Sequence, residues 1–384
     1  MKNNIIYLDS AATSFPKPKS VLRAVGDCLE NYCGNAGRGS HKLSLFAANK
    51  VYDCRQIICD LINAPRPENI IFVPSCTYGL NLIIKGLLKS GDHVLISDME
   101  HNATFRPIHR LFKDGLITYS TFSALSQNDK SDENILADIE SKIKNNTKLL
   151  ICNHQSNICS YSLPIEKIGA LCEKHHIIFA LDVAQSIGHI NIDMQKSKIS
   201  FLSAPGHKGL YGIQGAAFVA INSAYTLDTL LEGGNGVDSL LPEMSYSLPE
   251  RHESGTLPLP AIVGLYEGIK EIKRRTIDEI SAHEKELFDH LRNGLMNIKD
   301  VTVYEKDFTG NTLSFNHNKI PADLVATALD NESICTRAGF HCSALAHRSL
   351  GTDESGAVRV SFGIYNDKKQ LDKLLIAINN ICKF

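Results

Sequence analysis

Between about residues 50 and 225, short apolar runs alternate with helical periodicity. Ile70–Val73, His93–Ile96, Lys148–Cys152, Ile177–Leu181 and Ala216–Ala220 are each four or five residues long and mostly apolar. That is the pattern of strands covered on both faces. Between them, Ile135, Ile139 and Ile143 recur every four residues in the segment 132–143, with Leu136 beside the same stripe, which predicts an amphipathic helix. A second helix is predicted over Glu166–His176, after Pro164. Strands alternating with helices predict an α/β fold, a mostly parallel sheet with helices on both faces.

Beyond residue 255 the texture changes. One long helical stretch, Ala261–Ile298, precedes strand-like Val301–Tyr304 and Thr312–Phe315. A helix at Ala322–Leu329, a strand at Ala357–Phe362 and a final helix at Lys368–Ile381 follow. The expected units are a large α/β domain over residues 16–255 and a smaller α+β domain over 256–384, joined by residues 1–15. No repeat, low-complexity tract or Pro/Gly-rich linker marks the boundary.

Composition narrows the function classes. The 384 residues are 43% hydrophobic and 21% charged, which excludes a disordered chain. Forty Lys and Arg against 42 Asp and Glu leave a formal charge of −2, so no global positive field exists to hold a nucleic acid. No apolar run is long enough to span a membrane, and the N-terminus lacks a signal peptide's apolar stretch. Eleven cysteines without a secretory segment predict reduced thiols and a cytoplasmic location.

The strongest local signal is Ser203–Gly212, a glycine-rich stretch after the apolar run Ile199–Leu202. A lysine in such a turn, Lys208, sits at the carboxyl edge of the sheet, where open α/β folds bind ligands. Desolvated there, it is suited to forming a Schiff base, whereas an ordinary lysine is solvated. Asp182 directly follows the apolar run Ile177–Leu181. It is either a helix cap or a ligand contact that keeps a pyridine nitrogen protonated.

Asp182-x-x-Gln185 followed by Gly206-His207-Lys208 resembles the class-V aminotransferase group of pyridoxal-phosphate (PLP) enzymes, fold type I, and among them the cysteine desulfurases and selenocysteine lyases. The resemblance starts at Tyr7–Thr13, continues through Asn35–His41, and ends at Arg337–Cys342 and Val358–Ser361. It implies a mostly parallel sheet of the seven-stranded type and a set of roles. Lys208 carries PLP covalently, Asp182 binds the pyridine nitrogen, and Gln185 bonds the ring hydroxyl. His101 stacks on the ring and is catalytic, Asn157 lies near ring and substrate, and Thr77 and His207 bind the phosphate. Thr256 reaches the phosphate of a neighbouring subunit, so a homodimer is implied. Arg359 clamps the substrate carboxylate, with Arg38 and His41 also at the substrate, and Cys342 is the nucleophile that takes the sulfur.

Several of these residues have plainer readings. Thr77 suits a helix cap, compatible with a phosphate site because a helix N-terminus offers free N–H groups. Arg359 lies in an apolar strand pattern and needs an anionic partner, either a substrate carboxylate or an internal acid. Cys28, Cys54, Cys59, Cys152 and Cys172 fall in apolar patterns and read as core thiols, while Cys76, Cys159 and Cys335 are ambiguous. The sequence departs from the family at Tyr78, at Val183 and at Pro205, where a phosphate ligand is common, so Ser203 is the candidate replacement. No cysteine or histidine spacing suits a metal site.

Cys342 and Arg359 are 17 residues apart, which implies a short, ordered loop like that of the second desulfurase group, with a small acceptor protein approaching the cysteine. The expected activity is conversion of L-cysteine to L-alanine with sulfur held on Cys342. The alternatives are a selenocysteine lyase acting on L-selenocysteine, an aminotransferase or epimerase of this fold, and a non-catalytic PLP-binding scaffold.

Overall fold

A computed structural model describes residues 5–37, 39–125, 131–222, 224–304 and 310–381. A short strand, β1 (Ile6–Tyr7), precedes the large sheet. That sheet contains β2 (Ile70–Val73), β3 (His93–Ser97), β4 (Thr118–Phe122), β5 (Thr147–Asn153), β6 (Ile178–Asp182), β7 (Phe201–Pro205) and β8 (Ala217–Ile221). Their order is β2-β8-β7-β6-β5-β3-β4. Only β8 runs against its neighbours, so the other six strands end at one common edge.

The strands are buried on both faces, as their apolar runs require. Successive residues go to opposite sides: Val94 and Ile96 pack in one apolar cluster and Leu95 in the other. The edge strand β4, Thr-Tyr-Ser-Thr-Phe, is the one that the hydrophobic pattern missed. It is half-exposed along most of its length, and no apolar run announces it.

Three expectations shift. The strand expected at Ile199–Leu202 begins at Phe201 and runs to Pro205, because Ile199 N–H bonds the Met194 carbonyl and closes a turn. Ser203 and Pro205 are therefore paired sheet residues, not part of the Lys208 turn. The single helix expected at 261–298 is two, Leu259–Arg275 and Ile277–Met296. Thr276 adopts φ 68°, and its hydroxyl accepts from Glu279 N–H at 3.2 Å, capping the second helix. The basic run Lys273–Arg275 followed by Thr276, Asp278 and Glu279 is a stop-and-start signature that the apolar periodicity masked.

Four strands form an antiparallel C-terminal sheet: β9 (Val301–Val303), β10 (Thr312–His317), β12 (Arg337–Gly339) and β13 (Ala357–Ser361), in the order β12-β13-β10-β9. Between β10 and β12, β11 (Ile334–Cys335) pairs in parallel with β1. Ile6 and Leu8 pack with Leu287, Phe315 and Val360. The expected division at residue 255 falls too early for the core. Leu259, Ile262, Leu265 and Ile269 pack in the large cluster, and the change of partners comes within the helix Ile277–Met296.

Two glycines, one in the turn and one on the helix Leu259–Arg275, let the chain pack closely against the residues after Lys208. A Cβ on Gly209 would lie 2.2 Å from the Ile187 carbonyl oxygen, and one on Gly268 would lie 2.1 Å from that of Leu210. The turn after Lys208 is thus gripped by backbone on two sides.

Candidate active site

Connections leaving β2, β3, β5, β6 and β7 at the common edge enclose one cavity. Thr77, His101, Asn157, Asp182, Gln185, His207 and Lys208 all line it. Lys208 is the one lysine among the described residues of its wall.

Asp182 ends β6 at 4% exposure. Its Oδ1 accepts from Ala184 N–H at 2.9 Å and from the Cys76 thiol at 3.6 Å, and a turn rather than a helix follows, so it does not cap one. Burial raises its pKa, with Ala184 N–H, Lys208 and Cys76 opposing. It forms no salt bridge among the described residues. Burial likewise lowers the pKa of Lys208, partly offset by Asp182. No hydrogen-bond acceptor reaches the Lys208 amine among the described residues. A carboxylate without a cation and an amine without an acceptor, on one cavity wall, fit a group carrying both an aldehyde and a protonated ring nitrogen. PLP carries both.

The helix Cys76–Leu87 starts at the same cavity, capped by Ser75, whose hydroxyl accepts from Tyr78 N–H at 3.2 Å. Thr77 is therefore inside the first turn rather than its cap, where free N–H groups suit a phosphate. Ser203 is fully buried in β7, with its Oγ 3.3 Å from Cys76 Sγ, and does not line the cavity. His207 Nδ1 lies 3.0 Å from Thr13 Oγ1. His101 caps the helix Asn102–Lys113 through Nδ1, which accepts from Ala103 N–H at 3.0 Å. Burial first, then Lys208 and nearby arginines, pushes its pKa down to about 4. It is a neutral imidazole whose proton sits on Nε2.

Sequence reasoning missed the N-terminal strap. Asp9 Oδ1 accepts from Arg359 Nη2 at 2.7 Å, and the Ala11 carbonyl accepts from Gln185 Nε2 at 3.1 Å. Lys17 Nζ donates to the His207 carbonyl at 2.8 Å, beside Lys208. The ammonium, pushed down to about 8 by burial, has no acid partner among the described residues. These links were invisible because they join residues 9–17 to positions some 170 to 350 residues away.

Arg359 is 1% exposed, and Asp9 supplies the internal acid that the sequence left open. Its Nη1 also donates to the Asn157 carbonyl at 3.1 Å, while Nε has no partner. Asn157 in turn holds the Cys342 turn from both sides: Nδ2 donates to the His341 carbonyl at 2.8 Å, and Oδ1 accepts from Ser343 Oγ at 2.6 Å. The Cys342 carbonyl accepts from Asn102 N–H at 2.7 Å, next to His101. The thiol is exposed. The expected loop beyond it is largely a helix, Ala344–Leu350, ending at Gly351 with φ 67°.

The remaining candidates lie elsewhere. Thr256 is exposed and outside this cavity, with Oγ1 3.4 Å from Asn35 Nδ2. His41 caps the helix Lys42–Ile62, accepting from Ser44 N–H at 3.3 Å, and does not line the cavity. Arg38 lies outside the described residues. The five cysteines assigned to the core are buried, as is Cys159, while Cys76 lines the cavity. Among the described residues, no group of His, Cys, Asp or Glu side chains is placed to hold a metal.

Buried histidines set an acid limit on the fold. Burial holds His154 and His252 down to about 4 and His341 down to about 3, against an ordinary 6.5. As pH falls from 6.5 toward 4, the unfolded chain takes up protons that the folded chain refuses, so stability is lost. Glu100, pushed up to about 8 by burial, acts in the opposite sense, its contribution fading as pH rises from 4.5 to 8. His93, His101 and His207 are likewise held down to about 4, so the depressed imidazoles outnumber the raised acids Glu100, Asp182 and Glu253, and the urea midpoint should fall between pH 6.5 and 4.5 at fixed ionic strength. A flat midpoint would contradict neutral buried imidazoles.

A family model for class-V aminotransferases matches residues 6–374. A probable cysteine desulfurase of Pyrococcus abyssi is 32% identical over 394 residues, spanning 100% of this chain and 96% of the relative. One from Borreliella burgdorferi is 30% identical over 399 residues, spanning 99% and 92%. The apo structure of a cysteine desulfurase from Thermococcus onnurineus NA1 matches with a TM-score of 0.90 at 30% identity, covering 99% of this chain and 95% of that one. An Escherichia coli cysteine desulfurase matches in fold, with a TM-score of 0.87 at 22% identity over 100% of this chain and 96% of that one. Motifs, sheet topology and these likenesses converge: the chain belongs to the class-V aminotransferase family, alongside relatives named as cysteine desulfurases.

Proposed function

We propose that this protein is a PLP-dependent cysteine desulfurase that converts L-cysteine to L-alanine and keeps the sulfur as a persulfide on Cys342. The carrying observation is that the Lys208 amine, with no acceptor, and the Asp182 carboxylate, with no salt bridge, line one cavity among the described residues, with the Cys342 turn tied to the cavity residue Asn157 and to the residue after His101. Bound PLP supplies the electron sink that makes the substrate Cα–H acidic. Lys208 would hold the cofactor, and its amine is the base on the cavity wall that would take the Cα proton. Asp182 would keep the ring nitrogen protonated. His101, whose Nδ1 is occupied by Ala103 N–H, has Nε2–H left to serve as a proton donor. Arg359, with Nε unpaired, attracts the substrate carboxylate, and its ion pair with Asp9 fixes its orientation. The Cys342 thiolate attacks the substrate sulfur: a sulfur–sulfur bond forms and the carbon–sulfur bond breaks. The carbon fragment keeps that electron pair, is protonated and leaves as alanine.

The finer readings rest on surface features. Leu231, Leu240, Leu241 and Tyr246 are exposed, as are Leu45, Phe46 and Tyr52 on the helix Lys42–Ile62. The two segments meet around a groove lined by Tyr52, Val237 and Gly255, next to Thr256, and this apolar surface supports a homodimer in which Thr256 reaches the partner's phosphate. The short helix after Cys342 limits travel of the thiol, which supports delivery to a small acceptor protein that comes to it. Among the described residues no helix is long and apolar enough to cross a membrane, in keeping with a cytoplasmic enzyme.

The test is to purify the protein, record its visible absorbance, and add L-cysteine with a reductant. Sulfide and alanine should appear in equal amounts, and before reductant Cys342 should carry one extra sulfur by mass spectrometry. Alanine without a persulfide, or no turnover of any amino acid, would sink the reading.

A further inference from the structure

The turn that presents Cys342 is conformationally unusual. His341 and Cys342 have φ of 50° and 58°, consecutive non-glycine residues in the left-handed region. Each is disfavoured there, so the surroundings must hold them. Asn157 and Asn102 grip the carbonyls of His341 and Cys342. A third hold comes from beneath, through the His341 ring.

That ring is buried and lies edge to edge with the His347 ring in nearly the same plane, with centroids 5.5 Å apart and planes 12° apart. His341 Nε2 lies 3.2 Å from the Arg337 carbonyl oxygen, which only accepts, so Nε2 carries the proton. His341 Nδ1 is then an acceptor, 3.3 Å from His347 Nε2, which must donate. His347 Nδ1 in turn accepts from Thr352 Oγ1 at 2.7 Å. His347 and Thr352 are 0% and 1% exposed. One set of neutral tautomers satisfies every atom of the chain, from the Thr352 hydroxyl through His347 and His341 to the Arg337 carbonyl. The Phe340 ring meets His347 edge-on at 5.5 Å and covers it from solvent.

We propose that His347, oriented by Thr352, is a positioning residue for the sulfur-transfer step: it fixes the His341 ring and thereby the left-handed turn that aims Cys342 at the substrate. His347 does not line the cavity, so its loss spares substrate binding and slows the step that uses Cys342. This rests on Cys342 being the nucleophile.

The experiment uses the PLP-loaded protein and compares wild type with His347→Phe, which keeps a ring and deletes both nitrogens, and His347→Gln, which keeps a donor toward His341. In His347→Phe, kcat and the single-turnover rate of persulfide formation on Cys342 should fall together by about 10- to 100-fold, the scale of a small misplacement of a reacting group. KM and cofactor absorbance should stay near wild type, and His347→Gln should recover part of the loss. Unchanged kcat in His347→Phe, or loss of cofactor and a raised KM in parallel with kcat, overturns the proposal. Should His347→Phe not fold, Thr352→Val deletes only the orienting hydroxyl, and wild-type kcat there overturns it equally. A wild-type protein that turns over cysteine without ever labelling Cys342 would sink the desulfurase reading itself, not the role of His347 in holding the turn.

Discussion

Cys342→Ala protein is expected to fold, hold its cofactor and bind L-cysteine, yet release its sulfur at least about 10³-fold more slowly. An oriented intramolecular nucleophile is worth far more than a dissolved thiol, and the alanine variant must draw on the latter. The backbone that holds position 342 does not depend on the thiol, because Asn102 and Asn157 bond main-chain groups. The loss should therefore appear in the sulfur step alone. Sulfide, alanine and cofactor spectra measured on one preparation check it. The same variant assayed with L-selenocysteine separates the nearest alternative: selenolate is ionised at neutral pH and leaves readily, so a lyase would retain selenium release. Equal collapse on both substrates supports the desulfurase, and full sulfide release by Cys342→Ala would refute the assigned nucleophile.

Lys208→Ala should be the more severe change. The variant loses both the covalent hold on PLP and the base for the Cα proton, and a positioned base alone is worth about 10²–10⁴-fold. Turnover should fall below detection, and borohydride treatment should leave no lysine labelled with the cofactor. In wild type the label should map to Lys208. The lysine stands alone in the cavity wall among the described residues, so no neighbour is placed to substitute. Lys208→Arg should not rescue it, since a guanidinium neither forms the Schiff base nor gives up a proton near neutral pH. Label on another lysine would overturn the site.

Much of the site was legible because its residues sit at strand ends, where an apolar run stops and a polar residue begins. Asp182 after Ile177–Leu181 and Lys208 within a glycine-rich turn after an apolar run are of this kind. The helix positions of Thr77 and His101 were less legible. A cap is set by one or two hydrogen bonds, and Ser75 rather than Thr77 takes that place at the helix Cys76–Leu87. Ser203 was misplaced by a two-residue shift in β7, enough to put it in the sheet under Cys76 instead of in the turn.

The amino-acid sequence by itself determined the alternation of buried strands and helices, the chemistry of a lysine, an acid and a cysteine, and their family pattern, because each is encoded within a few neighbouring residues. The tertiary structure decided the rest. Asp9 pairs with Arg359, Lys17 braces His207, and Asn157 and His347 hold the Cys342 turn. All but the His347 contact cross long stretches of chain, and that one depends on two left-handed residues. Such contacts follow from how the chain closes on itself, which no local pattern of apolar and polar residues records.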